Sequence, residues 1–131
     1  MIITEKNYVE KAEKTILYLK NLKDNKGRNV QMVTTSKLRN LLAMTSDIYN
    51  EVLSQNQEKL SDEICGRIDY LKVRFLYEVG RDTERKVREF VEQAQIIECI
   101  NEINGSRKNF ILFSRYMEAL VAYHKYYGGR D

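Results

Sequence analysis

The chain has no proline, six glycines, two cysteines and one histidine. Without proline, and with Leu, Glu, Lys, Arg, Ala and Ile filling its long periodic segments, it has the composition of helices rather than sheets. The cysteines, Cys65 and Cys99, fall on separate predicted helices, unlike the dense disulfide framework of a small secreted domain. They read as free thiols in a reducing cytosol. With one histidine and no CxxC spacing, a structural zinc site lacks ligands. No P-loop, GxGxxG, HExxH or GxSxG pattern occurs, and the late Gly128-Gly129 pair has no strand before it or helix after it to make a phosphate-cradling loop. No apolar run approaches the roughly 18 residues that span a bilayer, and no early segment resembles a signal peptide. These absences predict a soluble, cytoplasmic protein with no cofactor, no metal and no membrane partner.

Catalysis is equally short of material. His124 lies on an apolar helix face, where a core or interface role outweighs that of a general base. Asp47, Asp62, Asp69 and Asp82 fall on different helices or caps and show no metal-binding spacing. The sequence therefore predicts a protein that is not an enzyme. The charge balance, 22 basic against 19 acidic residues, is mildly basic, so any polyanion site must come from a local cluster.

What is present is helical periodicity. The 131 residues are 43% hydrophobic, enough for one core, and the reading is all-α: a single domain over residues 1–131, a bundle of about five helices. The first runs from about Glu5 to Leu22, capped by Thr4, with Val9, Ala12, Ile16 and Leu19 inward. Residues 23–33 are a loop, either a connector or a phosphate contact through three basic residues. The second helix opens at Thr34, Thr35 or Ser36 and ends near Ser54. Its first turn carries Lys37 and Arg39 and no acid, so it reads either as an anion site or as an ordinary cap with two solvated bases. A polar linker, 54–63, leads to the central helix. A fourth helix runs from a cap at Asp82 or Thr83 to about Ile103, and a fifth from Asn109 to Tyr127, ended by glycine.

The organising stretch is Arg67 to Arg81. Ile64, Ile68, Leu71, Phe75 and Val79 form one apolar stripe, and Arg67, Tyr70, Arg74, Tyr77 and Arg81 form a strip beside it. Val73 and Leu76 lie on further sides, which predicts a helix in the middle of the bundle. Arginine forks suit phosphate and tyrosines can stack on bases. Equally, both side chains roof helical cores with their stems.

The words TTSKLRNLL (34–42), RIDYLKVRFLYEVGRD (67–82) and RYMEALVAYHKYYGGRD (115–131), with NYVEKAEKTIL (7–17) and AQIIECINEI (94–103), resemble the small subunit of type III-A CRISPR effector complexes, the Csm family. Only linkers 23–33 and 54–63 fall outside the resemblance. It implies an α-helical bundle, copies of which stack inside a ribonucleoprotein filament for antiviral defence. It also implies no nuclease activity, since target-RNA cleavage belongs to the backbone subunit, and DNA cleavage and second-messenger synthesis belong to the large subunit. Basic side chains of the small subunit would support the guide RNA–target RNA duplex, reading backbone and shape rather than sequence. Spacing and resemblance together nominate Lys37, Arg39, Arg67, Arg74 and Arg81 as RNA contacts, with Lys72 and Arg115 behind them. The tyrosines at 116, 123, 126 and 127 either bind the next subunit or close the core. The rival reading is a helical interaction module that presents the Arg/Tyr strip to an acidic protein.

Overall fold

A computed structural model describes all 131 residues, Met1–Asp131. It contains six α-helices: α1 (Tyr8–Lys20), α2 (Thr35–Leu53), α3 (Asp62–Arg81), α4 (Lys86–Gln93), α5 (Ile96–Asn101) and α6 (Arg107–Tyr126). The all-α expectation holds. The sixth helix arises because the predicted fourth breaks: Gln95 sits at φ 57°, a left-handed conformation that no helix can continue through, and the chain restarts at Ile96. The break turns Ile96, Cys99 and Ile100 into the core beside Val87, Phe90 and Val91 of α4.

Local chemistry sets the helix starts. Thr4 and Asn7 exchange bonds, Asn7 N donating to Thr4 Oγ1 at 3.2 Å and Thr4 N to Asn7 Oδ1 at 2.7 Å, so Thr4 caps a turn that leads into α1. Regular helix then begins at Tyr8, not Glu5. Side chains of Thr34, Ser61 and Ser106 each accept an amide of their own first turn, opening α2, α3 and α6. α6 ends in a Schellman motif: Gly129 N bonds His124 O at 2.8 Å, Gly128 N bonds Lys125 O at 3.1 Å, and Gly128 takes φ 91°.

The centre of the bundle is α6. It packs against both α1 and α2 and buries Phe110, Phe113, Tyr116, Met117, Leu120 and His124 completely. Tyr116 is satisfied there by donating to Ala94 O at 2.9 Å, which ties α6 to the α4–α5 break. The helix expected in the middle, α3, is instead peripheral and leans on α2, α4 and α5. Its stripe Ile64, Ile68, Leu71, Phe75 and Val79 is buried as predicted, but Val73 and Leu76 are 55% and 50% exposed. Val9 is likewise exposed, and Thr15 completes the buried face of α1 in its place.

Both linkers are built. Residues 23–29 form a small hairpin in which Asp24 accepts from the amides of Lys26 and Arg28. Linker 54–63 is pinned to the turn before α6: Leu60 N donates to Gly105 O, Arg107 N to Glu58 O, and Arg107 Nε to Gln55 O at 2.6 Å.

Candidate nucleic-acid interface

On α3 the buried stripe leaves an outward face centred on Gly66, Val73 and Tyr77. Tyr70 and Tyr77 are 61% and 59% exposed on it, with Arg67, Arg74 and Arg81 along one flank. The three arginines are seven residues apart, so their Cα atoms recur about every 10 Å along the axis. That flank faces α2. A groove of about 570 Å³ runs between the two helices, walled by Met44 and Asp47 on one side and Arg67, Tyr70, Leu71 and Arg74 on the other.

The cations differ in how committed they are. Arg67 Nη1 pairs with Glu51 of α2 at 2.5 Å, and Arg81 Nε with Glu78 of its own helix at 3.0 Å. Arg74 alone among the three has no carboxylate within 4.0 Å, and it is exposed. Between the start of α2 and the end of α3, Lys37 Nζ meets Asp82 Oδ1 at 3.0 Å. The Asp82 side chain is only 4% exposed and its other oxygen accepts Val87 N at 2.7 Å. Burial opposes ionisation of that carboxyl, but the Val87 amide and the Lys37 ammonium outweigh it and hold the group below the usual carboxylate range.

The structure therefore gathers Lys37, Arg67, Arg74 and Arg81 along the α2–α3 flank. It separates the other three. Lys72 lies on the opposite flank of α3 and donates to Asn101 of α5 at 2.8 Å. Arg39 projects from the outward face of α2, away from the groove. Arg115 is exposed beside Arg107 and Lys108 in a second groove of about 440 Å³ between α1 and α6, which spacing along a single helix does not reveal. The amides at the α2 start are largely spoken for: Lys37 N donates to Thr34 Oγ1, Leu38 N to Thr34 O, and Thr35 N to Arg130 O at 2.6 Å. Thr35 itself is buried. This geometry is that of a capped helix start rather than an open anion cradle.

Among the tail tyrosines, Tyr116 is core, Tyr123 and Tyr127 are half-buried, and Tyr126 is 79% exposed. Tyr127 donates to Glu13 Oε2 at 2.6 Å and lies under Lys20, with Nζ 5.4 Å from the ring centroid. Both cysteines are unpaired, and burial pushes the Cys99 thiol up to about 12. No helix is long and apolar enough to cross a membrane.

Comparison of the sequence with known proteins points to one family. Residues 6–130 match the family described as Csm2 Type III-A. The protein called CRISPR system Cms protein Csm2 from Streptococcus thermophilus is 45% identical over 130 residues, covering 99% of this chain and 98% of that relative. The protein of the same name from Enterococcus italicus is 38% identical over 122 residues, covering 88% and 86%, and that from Mycobacterium tuberculosis is 35% identical over 131 residues, covering 100% and 99%. Matches of this extent leave no part of the fold outside the relationship, and the chain belongs to the Csm2 family of type III-A CRISPR systems.

Proposed function

We propose that this Csm2-family chain is a non-catalytic small subunit that assembles with other Csm subunits and with copies of itself in a filament, and supports the guide RNA–target RNA duplex there. The observation that carries the RNA contact is the α3 face, where an unpaired Arg74 stands between two exposed tyrosines, with Arg67 and Arg81 in register on either side. Phosphate neutralisation by these arginines requires no reading of bases, which suits a complex whose sequence choice is made by base pairing. Lys37 extends the cationic flank. Arg39, Lys72 and Arg115 are secondary candidates on other faces. The site of action is the cytoplasm, in antiviral defence.

The arginines do not contribute equally. Arg67 and Arg81 must give up part of an exposed ion pair to bind phosphate, while Arg74 gives up nothing. In the reconstituted complex, Arg74→Ala is expected to weaken target-RNA binding and to reduce the slope of log affinity against log salt by about one. Arg67→Ala and Arg81→Ala should each do less. Unchanged affinity in the triple alanine variant would remove the assignment.

A second reading has its own support. Tyr70, Val73, Leu76 and Tyr77 make the outward face of α3 unusually apolar for solvent, and such a face between cations also fits a protein with acidic and apolar residues. Competition separates the two: RNA displaces a ligand of the Arg74 face in the first case and leaves it bound in the second.

A further inference from the structure

The C-terminal residues do more than end α6. After the Schellman turn, Gly129 passes directly over the His124 imidazole, so closely that a Cβ at position 129 would overlap the ring. Beyond it, Arg130 O accepts the Thr35 amide at 2.6 Å, and the Arg130 guanidinium bonds Gln31 Oε1. From beneath, His124 Nε2 lies 2.6 Å from Val33 O. A carbonyl only accepts, so Nε2 carries the proton. Residues 31, 33 and 35 are thus each held by the C-terminal end of the chain, about a hundred positions away in sequence. The α1–α2 loop makes no comparable set of bonds with its own helices.

The closure is not fully satisfied. Two buried side-chain polar atoms have no partner, Thr35 Oγ1 and His124 Nδ1, and both belong to residues under this segment. Opening would give each of them water, which offsets part of what the closed contacts contribute.

We propose that residues Gly128–Asp131 form a detachable strap, seated on His124, that orders residues 31–37 and thereby places the Lys37 end of α2. Its glycine is required for clearance over the imidazole, and its carbonyl at Arg130 supplies the first amide of α2 with an acceptor. When the strap is off, Gln31 and the Thr35 amide lose their Arg130 partners, while the Val33–His124 bond and the α1–α6 and α2–α6 packing remain. The proposal concerns the free chain and does not depend on RNA binding.

Hydrogen exchange on the intact 131-residue chain tests it, residue by residue, against Gly129→Ala and against a chain truncated after Gly129. Both variants are expected to speed exchange of the Thr35 to Lys37 amides roughly tenfold, the equivalent of one lost hydrogen bond. Amides of Ile68 to Val79 in α3 should keep their protection. Unchanged exchange at Thr35 in the truncated chain would overturn the proposal, because the Arg130 carbonyl would then not be its acceptor. Equal acceleration in α3 and at Thr35 would also overturn it, since the segment would then be part of the common core. Should Gly129→Ala fail to fold, the truncated chain, which introduces no clash, decides by the same readout.

Discussion

Asp82 joins three elements through two oxygens: it ends α3, accepts the Val87 amide of α4 and binds Lys37 of α2. Replacing it with alanine leaves a half-buried amide and an unpaired ammonium, so Asp82→Ala is expected to destabilise the fold by about 1–3 kcal/mol in urea unfolding. Because its folded carboxyl titrates below the ordinary value, its contribution is complete above about pH 4 and disappears as pH falls through the folded value. His124 works in the same direction at higher pH. Burial lowers its affinity for a proton most; the Val33 bond opposes this in part, and the Lys125 cation adds a smaller lowering; Lys20 and Arg130 line the small cavity beside the tail. Its neutral form therefore contributes stability above about pH 6.5, and that contribution is lost as pH falls through the lower folded value. Stability measured from pH 7 to pH 5.5 should fall more steeply in the natural chain than in His124→Gln. The thiols differ for a related reason. Cys65 is half-buried beside a groove, whereas Cys99 is sealed in the core with its thiolate disfavoured, so alkylation of the folded protein followed by mass spectrometry should modify Cys65 and spare Cys99.

At the scale of elements, Arg85, Gln95 and Asn104 carry positive φ outside glycine and mark where the α3–α4, α4–α5 and α5–α6 segments turn. Arg85 is exposed and makes no side-chain cap bond. Arg85→Gly should raise the urea midpoint, gaining up to about 1 kcal/mol as left-handed strain is relieved against added chain entropy. These breaks explain what could be read from sequence and what could not. The α3 stripe from Ile64 to Val79 was legible because five apolar residues repeat at one helical period, and the start of α2 was legible to within Thr34, Thr35 or Ser36 because hydroxyls precede such a run, the fold selecting Thr34 as the cap. The break at Gln95 was not, since glutamine gives no local turn signal and its conformation is imposed by packing α5 into the core. The Arg81–Glu78 pair lies within one helix at i, i+3, whereas the Arg67–Glu51 and Lys37–Asp82 pairs join separate helices and required the fold. Spacing brought Arg67, Arg74 and Arg81 together correctly, but it could not show that only Arg74 is uncommitted, nor that Arg39, Lys72 and Arg115 face elsewhere.

For the whole molecule, the misassignment of the central helix has one cause. α3 and α6 are both twenty residues long and both apolar on several sides, yet only α6 meets two long helices at once. The apolar residues left outside on α3, chiefly Tyr70, Val73, Leu76 and Tyr77, are then the candidates for contact with RNA or protein, which links the error about position to the proposal about function. Removing the Phe113 ring from the centre of α6 with alanine should cost about 3–5 kcal/mol and unfold all helices together, as judged by circular dichroism during urea titration. The long closure between α1 and α6 also bears on synthesis. A ribosome delivers α1 and α2 first, with their apolar stripes uncovered, and supplies the helix that seals them only after residue 107. Nascent chains shorter than that are unfinished surfaces, open to chaperones and to one another, so translation arrest within α5 should yield aggregated product where arrest beyond α6 yields folded protein.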